Sequence, residues 1–234
     1  MYPNFNEEKK LWKRGFEMVA GLDEAGRGPL AGPVVAAAIF LQKNCRINLR
    51  INDSKKLSEK QREYFYEILT GHPHIEWGIG MVSEKIIDRV NILEATKLAM
   101  QKAVQVLEKK LENQYSHKYD GRRICASIDF LLIDGNFTLP ARSIGGGGAA
   151  ISVPQRSIIK GDQKVFSIAA ASIIAKVTRD RLMQEMHKKY PKYGFNKHKG
   201  YGTTQHIQYL KNFGPCPVHR KSFCPVSFLL KIDN

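Results

Sequence analysis

One segment, residues 19–38, constrains the fold of this chain more than any other, and it reads VAGLDEAGRGPLAGPVVAAA. Two apolar runs, residues 18–22 and 34–40, flank a polar loop that begins with the acidic pair Asp23 and Glu24. Apolar runs of this length, bounded by glycine and proline, are typical of buried strands. The segment therefore predicts a strand, a loop and a second strand, with two carboxylates at the rim of a core.

Two neighbouring carboxylates at the end of a buried strand are costly, because they repel each other and lose hydration. A hard divalent cation would compensate both charges. Successive strand residues point to opposite faces, so Asp23 and Glu24 can chelate one ion only if the strand ends between them. Gly26 and Gly28 permit such a break, and Arg27 between them offers a planar fork that matches phosphate. The alternative is a solvated acidic turn at a sheet edge, without a metal.

The composition favours a polyanionic partner, because 37 Lys and Arg outnumber 22 Asp and Glu for a net charge of +15. Charge alone also suits a ribosomal or chromatin-type binder or a peripheral membrane protein. The 43% hydrophobic content instead predicts a folded globule with a basic face. The length of 234 residues suits one domain, 1–234, with residues 1–17 as an N-terminal extension and residues 188–234 as a basic C-terminal portion packed on it.

Membrane insertion and secretion are not expected. The longest nearly uncharged apolar stretch, residues 29–41, is shorter than the roughly 20 residues that a bilayer helix needs, and it contains Gly32 and Pro33. The first ten residues are polar, include acids and lead into no apolar segment. We therefore expect no membrane association and a cytoplasmic location.

The four cysteines, Cys45, Cys125, Cys216 and Cys224, show no C-x-x-C spacing. A zinc site built from Cys216, His219 and Cys224 is disfavoured, because structural zinc takes four ligands at tighter spacing. Free thiols in a reducing compartment are the expected state.

Apolar periodicity and capping residues predict the remaining elements. Helices are expected at residues 9–16, 58–69, 83–89, 91–113 and 167–187, and strands at residues 75–82, 127–133 and 157–159. Gly78 and Gly80 predict close approach of another backbone to the third strand. Asp129 is interpreted as a satisfied buried polar group. The glycine run at residues 145–148 fits no phosphate-binding spacing and is interpreted as a surface loop.

A stretch near the C-terminus, residues 181–200, is the best candidate for a nucleic-acid face. It carries six basic residues against one acid, Glu185, with three aromatic residues between them. These are Arg181, Lys188, Lys189, Lys192, Lys197 and Lys199, and Tyr190, Tyr193 and Phe195. The alternative is a solvated loop and helix end.

Acids follow three of the predicted strands: Asp23 with Glu24, then Asp134, then Asp162. Strand ends at one rim of an α/β sheet converge in space. Four carboxylates there would hold two Mg²⁺ or Mn²⁺ ions ~3.5–4 Å apart, which can activate water and stabilise a phosphate undergoing attack. Asp134 and Asp162 also fit ordinary turn or capping roles. Asp180 is left out of the set, because it is expected to pair with a neighbouring arginine or to face water.

The chain contains seven sequence motifs: DEAGRG at 23–28, DSKKL at 53–57, IDG at 133–135, KGD at 160–162, AAASIIAKVTRD at 169–180, HKGY at 198–201 and HRKSF at 219–223. Motifs of this kind occur in the same order in the ribonuclease HII family, the bacterial type 2 ribonucleases H, which the chain resembles from residue 18 to residue 228. The sequence departs from the family's pattern in a glycine-rich segment, between Asp134 and Asp162, that is longer than expected.

The resemblance implies a fold and a site. The fold is a ribonuclease H-like α/β domain with a mixed five-stranded sheet flanked by helices and a basic helical C-terminal portion. The implied catalytic and metal-binding acids, with Mg²⁺ or Mn²⁺ as cofactor, are Asp23, Glu24, Asp134 and Asp162. The implied substrate-binding residues are Gly26, Arg27, Gly28, Tyr201, Lys55 and Lys199. In the family the loop that matches Gly26, Arg27 and Gly28 senses the ribose 2′-OH, which distinguishes RNA from DNA, and the tyrosine that matches Tyr201 packs against the following sugar.

The implied function is endonucleolytic hydrolysis of RNA in RNA–DNA hybrids and incision 5′ of single ribonucleotides embedded in duplex DNA, leaving 5′-phosphate and 3′-OH ends. A monomer is expected. Two alternatives stay open. Another two-metal nuclease of the same fold, such as a junction resolvase or transposase-like domain, would need the acids but not the segment from Gly26 to Gly28 or Tyr201. A basic binding protein would grip hybrids without cutting them and would have no use for four gathered carboxylates.

Overall fold

A computed structural model of the protein describes residues 2–43, 45, 47, 49–51, 54, 56–115, 117–119, 122–124, 127–141 and 151–232. Its helices are α1 (Asn6–Lys13), α2 (Glu59–Gly71), α3 (Glu84–Val90), α4 (Ile92–Tyr115), α5 (Phe166–Lys189), α6 (Phe195–His198), α7 (Thr204–Phe213) and α8 (Val226–Ile232). Its strands are β1 (Val19–Ala25), β2 (Val34–Leu41), β3 (Ile75–Val82), β4 (His117–Tyr119), β5 (Arg122–Ile124), β6 (Phe130–Asp134) and β7 (Gln155–Ile158).

Five of the strands form one mixed sheet in the order β3-β2-β1-β6-β7, and β4 pairs with β5 in a separate two-stranded sheet. Strand β2 runs antiparallel to both of its neighbours, β1 and β3, whereas β6 lies parallel to β1 and β7 lies parallel to β6. The mixed five-stranded sheet expected from the family resemblance is confirmed. Because β1, β6 and β7 run in the same direction, their carboxyl ends meet at one edge of the sheet.

The two long helices cover opposite faces of the sheet, with α4 on β2 and β3 and α5 on β1 and β2. Strand β2 is buried along its whole length because both of its faces are covered, which explains its uninterrupted apolar sequence. The close approach predicted at Gly78 and Gly80 is confirmed. A Cβ at either position would overlap a carbonyl oxygen of α4, that of Ala103 or that of Ala99.

Most predicted element ends agree with the structure to within a few residues. Ser58 forms the expected capping box at the start of α2, and the Asn91 side chain accepts hydrogen bonds from the first turn of α4. The sixth strand is shorter than predicted, since pairing with β1 begins at Phe130. Asp129 lies before that strand, where Oδ2 accepts the N–H of Glu17 at 2.7 Å while Oδ1 is buried without a hydrogen bond. Only half of the prediction for Asp129 is therefore met.

The N-terminal extension is tied to the start of α5. Asn4 forms a parallel bridge with Val165, and the Phe5 ring stacks on Phe166 with 4.4 Å between centroids. Glu8 is 1% exposed, and its Oε1 accepts the N–H of Ser167 at 2.9 Å. The extension thus supplies a carboxylate to the amino end of a helix whose first N–H groups need acceptors.

The C-terminal portion shares an apolar cluster with Leu30, Ala31 and Met183, and aromatic residues of the basic stretch belong to this cluster. Phe195 is 0% exposed and Tyr193 is 7% exposed. The prediction that aromatic rings and lysines together form a nucleic-acid face is therefore wrong for these two rings, which are core residues. The lysines at 188, 189, 192 and 197 are exposed, and their role in a nucleic-acid face stays a prediction.

The remaining predictions concern the glycine run, the cysteines and membrane insertion. The glycine run at 145–148 and Cys125 lie outside the described residues. Cys45, Cys216 and Cys224 are free thiols, and burial raises the pKa of the Cys216 thiol to about 11. In the part of the chain that the structure describes, no helix is long and apolar enough to cross a bilayer.

Candidate active site

The site lies at the edge of the sheet where β1 and β6 end. The two strands pair in parallel register up to Leu22 and Ile133, so Asp23 and Asp134 follow a matched pair. Both acids line one cavity of about 200 Å³. The residues around this cavity are Asp23, Glu24, Ala25, Gly26, Arg27, Gly28, Ser54, Asp134, Ser172, Lys176 and Tyr201.

The predicted strand break between Asp23 and Glu24 is wrong. Strand β1 continues through both acids, because its antiparallel partner β2 pairs with them at Ala37 and Ala36. The chain turns two residues later, at Gly26, where φ is +98°. Both carboxylates nevertheless line the cavity.

Asp23 is the most buried of the acids that line the cavity, at 4% exposure. Its Oδ1 accepts the N–H of Glu24 at 2.7 Å, and its carboxylate also bonds the side chain of Ser172. Burial, followed by the nearby charges of Glu24 and Asp134, raises the pKa of Asp23 well above its ordinary value. The arrangement therefore holds negative charge at an electrostatic cost.

Asp134 is connected to the third parallel strand through the backbone. Its Oδ1 accepts the N–H of Gly161 at 2.6 Å, in the 3-10 turn Gly161–Gln163 that follows β7. Asp162 is the next residue and is 3% exposed, but it does not line the cavity. The structure thus brings three of the four predicted acids to one cavity, and the fourth is adjacent in sequence to the backbone donor of Asp134.

The chemistry of this donor set fits a hard divalent cation. Asp23, Glu24 and Asp134 offer only carboxylate oxygens, the ligands that Mg²⁺ and Mn²⁺ prefer. A cation would also relieve the repulsion that raises the pKa of Asp23. Across the described ranges, no three His, Cys, Asp or Glu side chains stand close enough together to hold an ion as they are now positioned.

The loop that follows β1 forms one wall of the cavity. The Arg27 side chain is 45% exposed, and its Nη1 lies 3.4 Å from Glu24 Oε1. A Cβ at Gly28 would lie 3.8 Å from Cε1 of Tyr201, so the tyrosine ring stands beside the bare backbone of that glycine. Tyr201 is 43% exposed and can meet a ligand from the solvent side.

The sequence analysis did not assign three polar residues of the cavity to the site: Ser54, Ser172 and Lys176. The hydroxyl groups of Ser54 and Ser172 lie 2.8 Å apart, which links the DSKKL segment to α5 beneath Asp23. Spacing could have revealed the helical pair, since Ser172 and Lys176 are four residues apart and share a helix face. The contact between Ser54 and Ser172 joins residues 118 positions apart, so no local spacing in the sequence could have revealed it.

Asp180 has different partners from those predicted. It is 4% exposed and bonds Lys176 at 2.6 Å, with Arg62 at 3.8 Å. The expected pairing with an adjacent arginine is wrong, because residues one apart on a helix do not face each other whereas residues four apart do. This ion pair holds Lys176 beside the cavity.

The structure describes only one of the two lysines that were predicted to bind substrate. Lys55 lies outside the described residues. Lys199 does not line the cavity, because its Nζ donates to the Asn196 carbonyl at 2.7 Å and lies 3.6 Å from Glu59. Its backbone carbonyl instead accepts a hydrogen bond from Arg179.

Comparison with known proteins decides the family. The family model described as Ribonuclease HII matches residues 20–226. The chain belongs to the ribonuclease HII family. It is 50% identical to Ribonuclease HII of Chlamydia trachomatis serovar A over 225 residues, which cover 94% of this chain and 90% of that protein. It is 49% identical to Ribonuclease HII of Acetivibrio thermocellus over 216 residues, covering 92% and 73%.

The solved structures agree with this family. The crystal structure of ribonuclease H2 from Pyrococcus horikoshii OT3 matches with a TM-score of 0.67 and 27% identity, covering 92% of this chain and 97% of that one. The ribonuclease H-like fold is confirmed. As a member of the ribonuclease HII family, the protein is an enzyme, a ribonuclease H hydrolase with endonuclease activity on RNA–DNA hybrids. The alternative of a basic protein that binds hybrids without cutting them is excluded.

Proposed function

We propose that the enzyme hydrolyses the RNA strand of RNA–DNA hybrids and also incises duplex DNA 5′ of a single embedded ribonucleotide, leaving 5′-phosphate and 3′-OH ends. One observation carries the proposal. Three carboxylates, a turn with two glycines and an exposed tyrosine line the same cavity. Acids alone would serve any metal-dependent nuclease, whereas the bare backbone beside Tyr201 suits the recognition of a sugar hydroxyl.

Asp23, Glu24 and Asp134 are the residues that would hold divalent metal. When bound, two Mg²⁺ or Mn²⁺ ions supply Lewis-acid activation of the attacking water and stabilise charge on the phosphate. The protein positions these acids through its own hydrogen bonds. Ser172 and the Glu24 N–H orient Asp23, and the Gly161 N–H orients Asp134. We keep Asp162 in the proposed set on the family resemblance, one residue from the donor to Asp134.

The basic groups around the cavity would engage the substrate backbone. Arg27 is exposed beside Glu24, and its planar fork suits a phosphate. Lys176 lines the same cavity, where burial lowers the pKa of its ammonium and the ion pair with Asp180 opposes that effect. Lys55 and Lys199 remain proposed substrate contacts on resemblance alone.

Gly28 and Tyr201 would read the junction between ribose and deoxyribose. The backbone of Gly28 can approach a 2′-OH closely, because no side chain stands between them. The neighbouring Tyr201 ring, about 4 Å from that position, offers an apolar face to a deoxyribose and disfavours a polar hydroxyl there. Together they would place the ribonucleotide on one side of the scissile phosphate.

The proposal is tested with a DNA duplex that carries one ribonucleotide, incubated with wild-type enzyme and Mg²⁺ or Mn²⁺, with products mapped to the nucleotide. A matched all-DNA duplex and a chelator control accompany it. We expect one cut 5′ of the ribonucleotide, none in the all-DNA duplex and none with chelator. Asp134→Asn should keep most duplex binding and lose turnover by orders of magnitude. Equal cleavage of the two duplexes would instead favour a DNA nuclease of the same fold.

A further inference from the structure

Two buried arginines hold the loop at residues 26–33, here called the glycine loop. Arg179 on α5 is 1% exposed and Arg220 is 0% exposed. Arg220 donates to the carbonyls of Gly32 (3.0 Å), Arg27 (2.9 Å) and Gly26 (2.6 Å). Arg179 donates to the carbonyls of Pro33 (3.0 Å), Lys199 (3.0 Å) and Ala31 (3.0 Å). Five of these six acceptors belong to the glycine loop.

Burying two guanidinium groups is expensive, and the carboxylates that act on them, Asp180 on Arg179 and Asp88 and Glu84 on Arg220, act only at a distance. Within the described ranges neither arginine forms an ion pair, and all six bonds go to neutral carbonyl oxygens. Burial lowers the pKa of Arg220 to about 9 and that of Arg179 to about 10, so both remain charged at neutral pH. The glycine loop therefore lies over two positive charges that no carboxylate of the described residues contacts directly, a setting that favours a phosphate on its outer side.

The hydrogen bonds also fix the direction of the peptide groups. In a trans peptide the carbonyl of one residue and the N–H of the next point in opposite directions. The only cis peptide in the described chain is Cys224-Pro225, so the peptides after Gly26 and Arg27 are trans. Because Arg220 draws both of these carbonyls into the interior, the N–H groups of Arg27 and Gly28 point away from it, on the side of the cavity that these residues line.

Arg179 connects the same loop to Tyr201. Its guanidinium carbon lies 5.9 Å from the centre of the Tyr201 ring, and it holds the carbonyl of Lys199, two residues earlier. A Cβ at Gly26 would overlap Nε of Arg179, so the loop also needs glycine there to pack on the arginine. Arg179 thus sets the position of both the glycine loop and Tyr201, which together are proposed to recognise the junction between ribose and deoxyribose.

We propose that Arg179 and Arg220 are positioning residues for ribonucleotide recognition, which turn the Arg27 and Gly28 N–H groups towards the substrate and support a phosphate with buried positive charge. The proposal rests on the proposed function of the site. It assigns specificity to two residues that touch no substrate. On this account lysine would not replace arginine at either position, since it lacks the planar fork that holds three carbonyls at once.

The first test compares Arg220→Lys and Arg179→Lys with the surface control Arg156→Lys. Lysine keeps the charge but loses the fork. We expect a loss on the order of 10²-fold in kcat on a single-ribonucleotide duplex, the penalty typical of a small misplacement, with KM changed little because phosphate contacts persist. Mn²⁺ affinity should match the wild type, since the acids lie on other elements. A lysine variant that folds and cuts like Arg156→Lys overturns the proposal.

The second test uses wild-type protein and stands even if the lysine variants do not fold. Amide hydrogen exchange of Arg27 and Gly28 is followed by NMR in chelator, so that no duplex is cut. Fast exchange in the free protein, slowed by a one-ribonucleotide duplex more than by its all-DNA match, supports the proposal. Protection in the free protein, or equal slowing by both duplexes, contradicts it. Absence of cleavage by wild-type enzyme would instead count against the proposed function itself.

Discussion

At the scale of single residues, two glycines of the same turn have different reasons to be glycine. Gly26 has φ of +98°, and a Cβ there would overlap the Arg179 side chain. Gly28 has no such constraint, because its φ is not in the left-handed region and its nearest neighbour would be Cε1 of Tyr201 at 3.8 Å. The fold therefore requires Gly26, whereas Gly28 leaves space that only a ligand would use.

This difference predicts opposite outcomes for two alanine variants. Gly28→Ala should unfold at nearly the wild-type temperature yet lose cleavage at a single ribonucleotide, because the added methyl group occupies the path to the 2′-OH. Gly26→Ala should lose on the order of 1–3 kcal/mol of stability from backbone strain alone. Thermal unfolding and cleavage rates of both variants provide the measurement. Equal destabilisation of the two, or normal cleavage by Gly28→Ala, would contradict this assignment.

The sequence predicted the acids of the site better than the residues that support them. Asp23, Glu24 and Asp134 follow apolar runs, so strand periodicity places them at a shared edge. Ser54, Ser172 and Arg220 act through contacts with residues 118 to 194 positions away, and no local pattern records such contacts. The prediction that the aromatic residues of the basic stretch face nucleic acid was wrong at Tyr193 and Phe195 for a related reason. Sequence spacing cannot distinguish a ring that stacks on a base from one that fills a core.

At the scale of elements, α1 and α5 meet through one buried carboxylate. The Glu8 side chain accepts the N–H of Ser167 in the first turn of α5, where a negative charge is favourable. Burial nevertheless outweighs that benefit and raises the pKa of Glu8. The stability that Glu8 contributes is thus fully present below pH 4.5, its ordinary pKa. It is lost as the pH rises through the pKa of Glu8 in the folded protein.

Two substitutions separate the hydrogen bond of Glu8 from its charge. Glu8→Gln keeps an acceptor for Ser167 and removes the ionisation, so it should leave stability at pH 7 unchanged or raise it. Glu8→Ala leaves the Ser167 N–H without its partner and should cost about 1–3 kcal/mol. Chemical denaturation at pH 7 distinguishes them. If Glu8→Gln is as destabilised as Glu8→Ala, the charge itself holds the two helices together.

Element boundaries were mostly predictable because capping residues mark them in the sequence. The capping box at Ser58 and the Asn91 cap fixed the starts of α2 and α4. The N-terminal extension was not interpretable, because its role comes from a contact between residues 8 and 167. The start of β6 was placed three residues too early, since apolar character extends beyond the point where the β1 ladder begins.

At the scale of the whole molecule, the C-terminal portion completes the site. The glycine loop bonds it through the backbone, with Leu30 N–H donating to Gly200 and Gly32 N–H donating to Val218, each at 2.8 Å. Beneath this contact His206 and His219 share a hydrogen bond of 3.0 Å, and His206 also bonds the Tyr201 carbonyl. Burial lowers the pKa of both histidines from 6.5 to about 4.

The buried histidine pair predicts how stability depends on pH. A depressed folded-state pKa contributes stability above pH 6.5 that is lost as the pH falls through about 4. In a variant that carries Glu8→Gln and Asp23→Asn, which removes two carboxylates of raised pKa that act in the opposite direction, the unfolding midpoint should therefore fall between pH 6.5 and 4, and Tyr201 should lose its support in the same range. Replacing the exposed His74 by Gln should not alter the profile. A midpoint that stays constant from pH 7 to pH 4.5 would contradict this.

The central claim is that carboxylates from two parallel strands hold divalent metal beside the glycine loop, and anomalous diffraction from crystals soaked in MnCl₂ tests it most directly. We predict manganese density between Asp23 and Asp134, lost in crystals of Asp134→Asn soaked in the same way. Density elsewhere on the molecule, or none within coordination distance of either aspartate, would contradict the account.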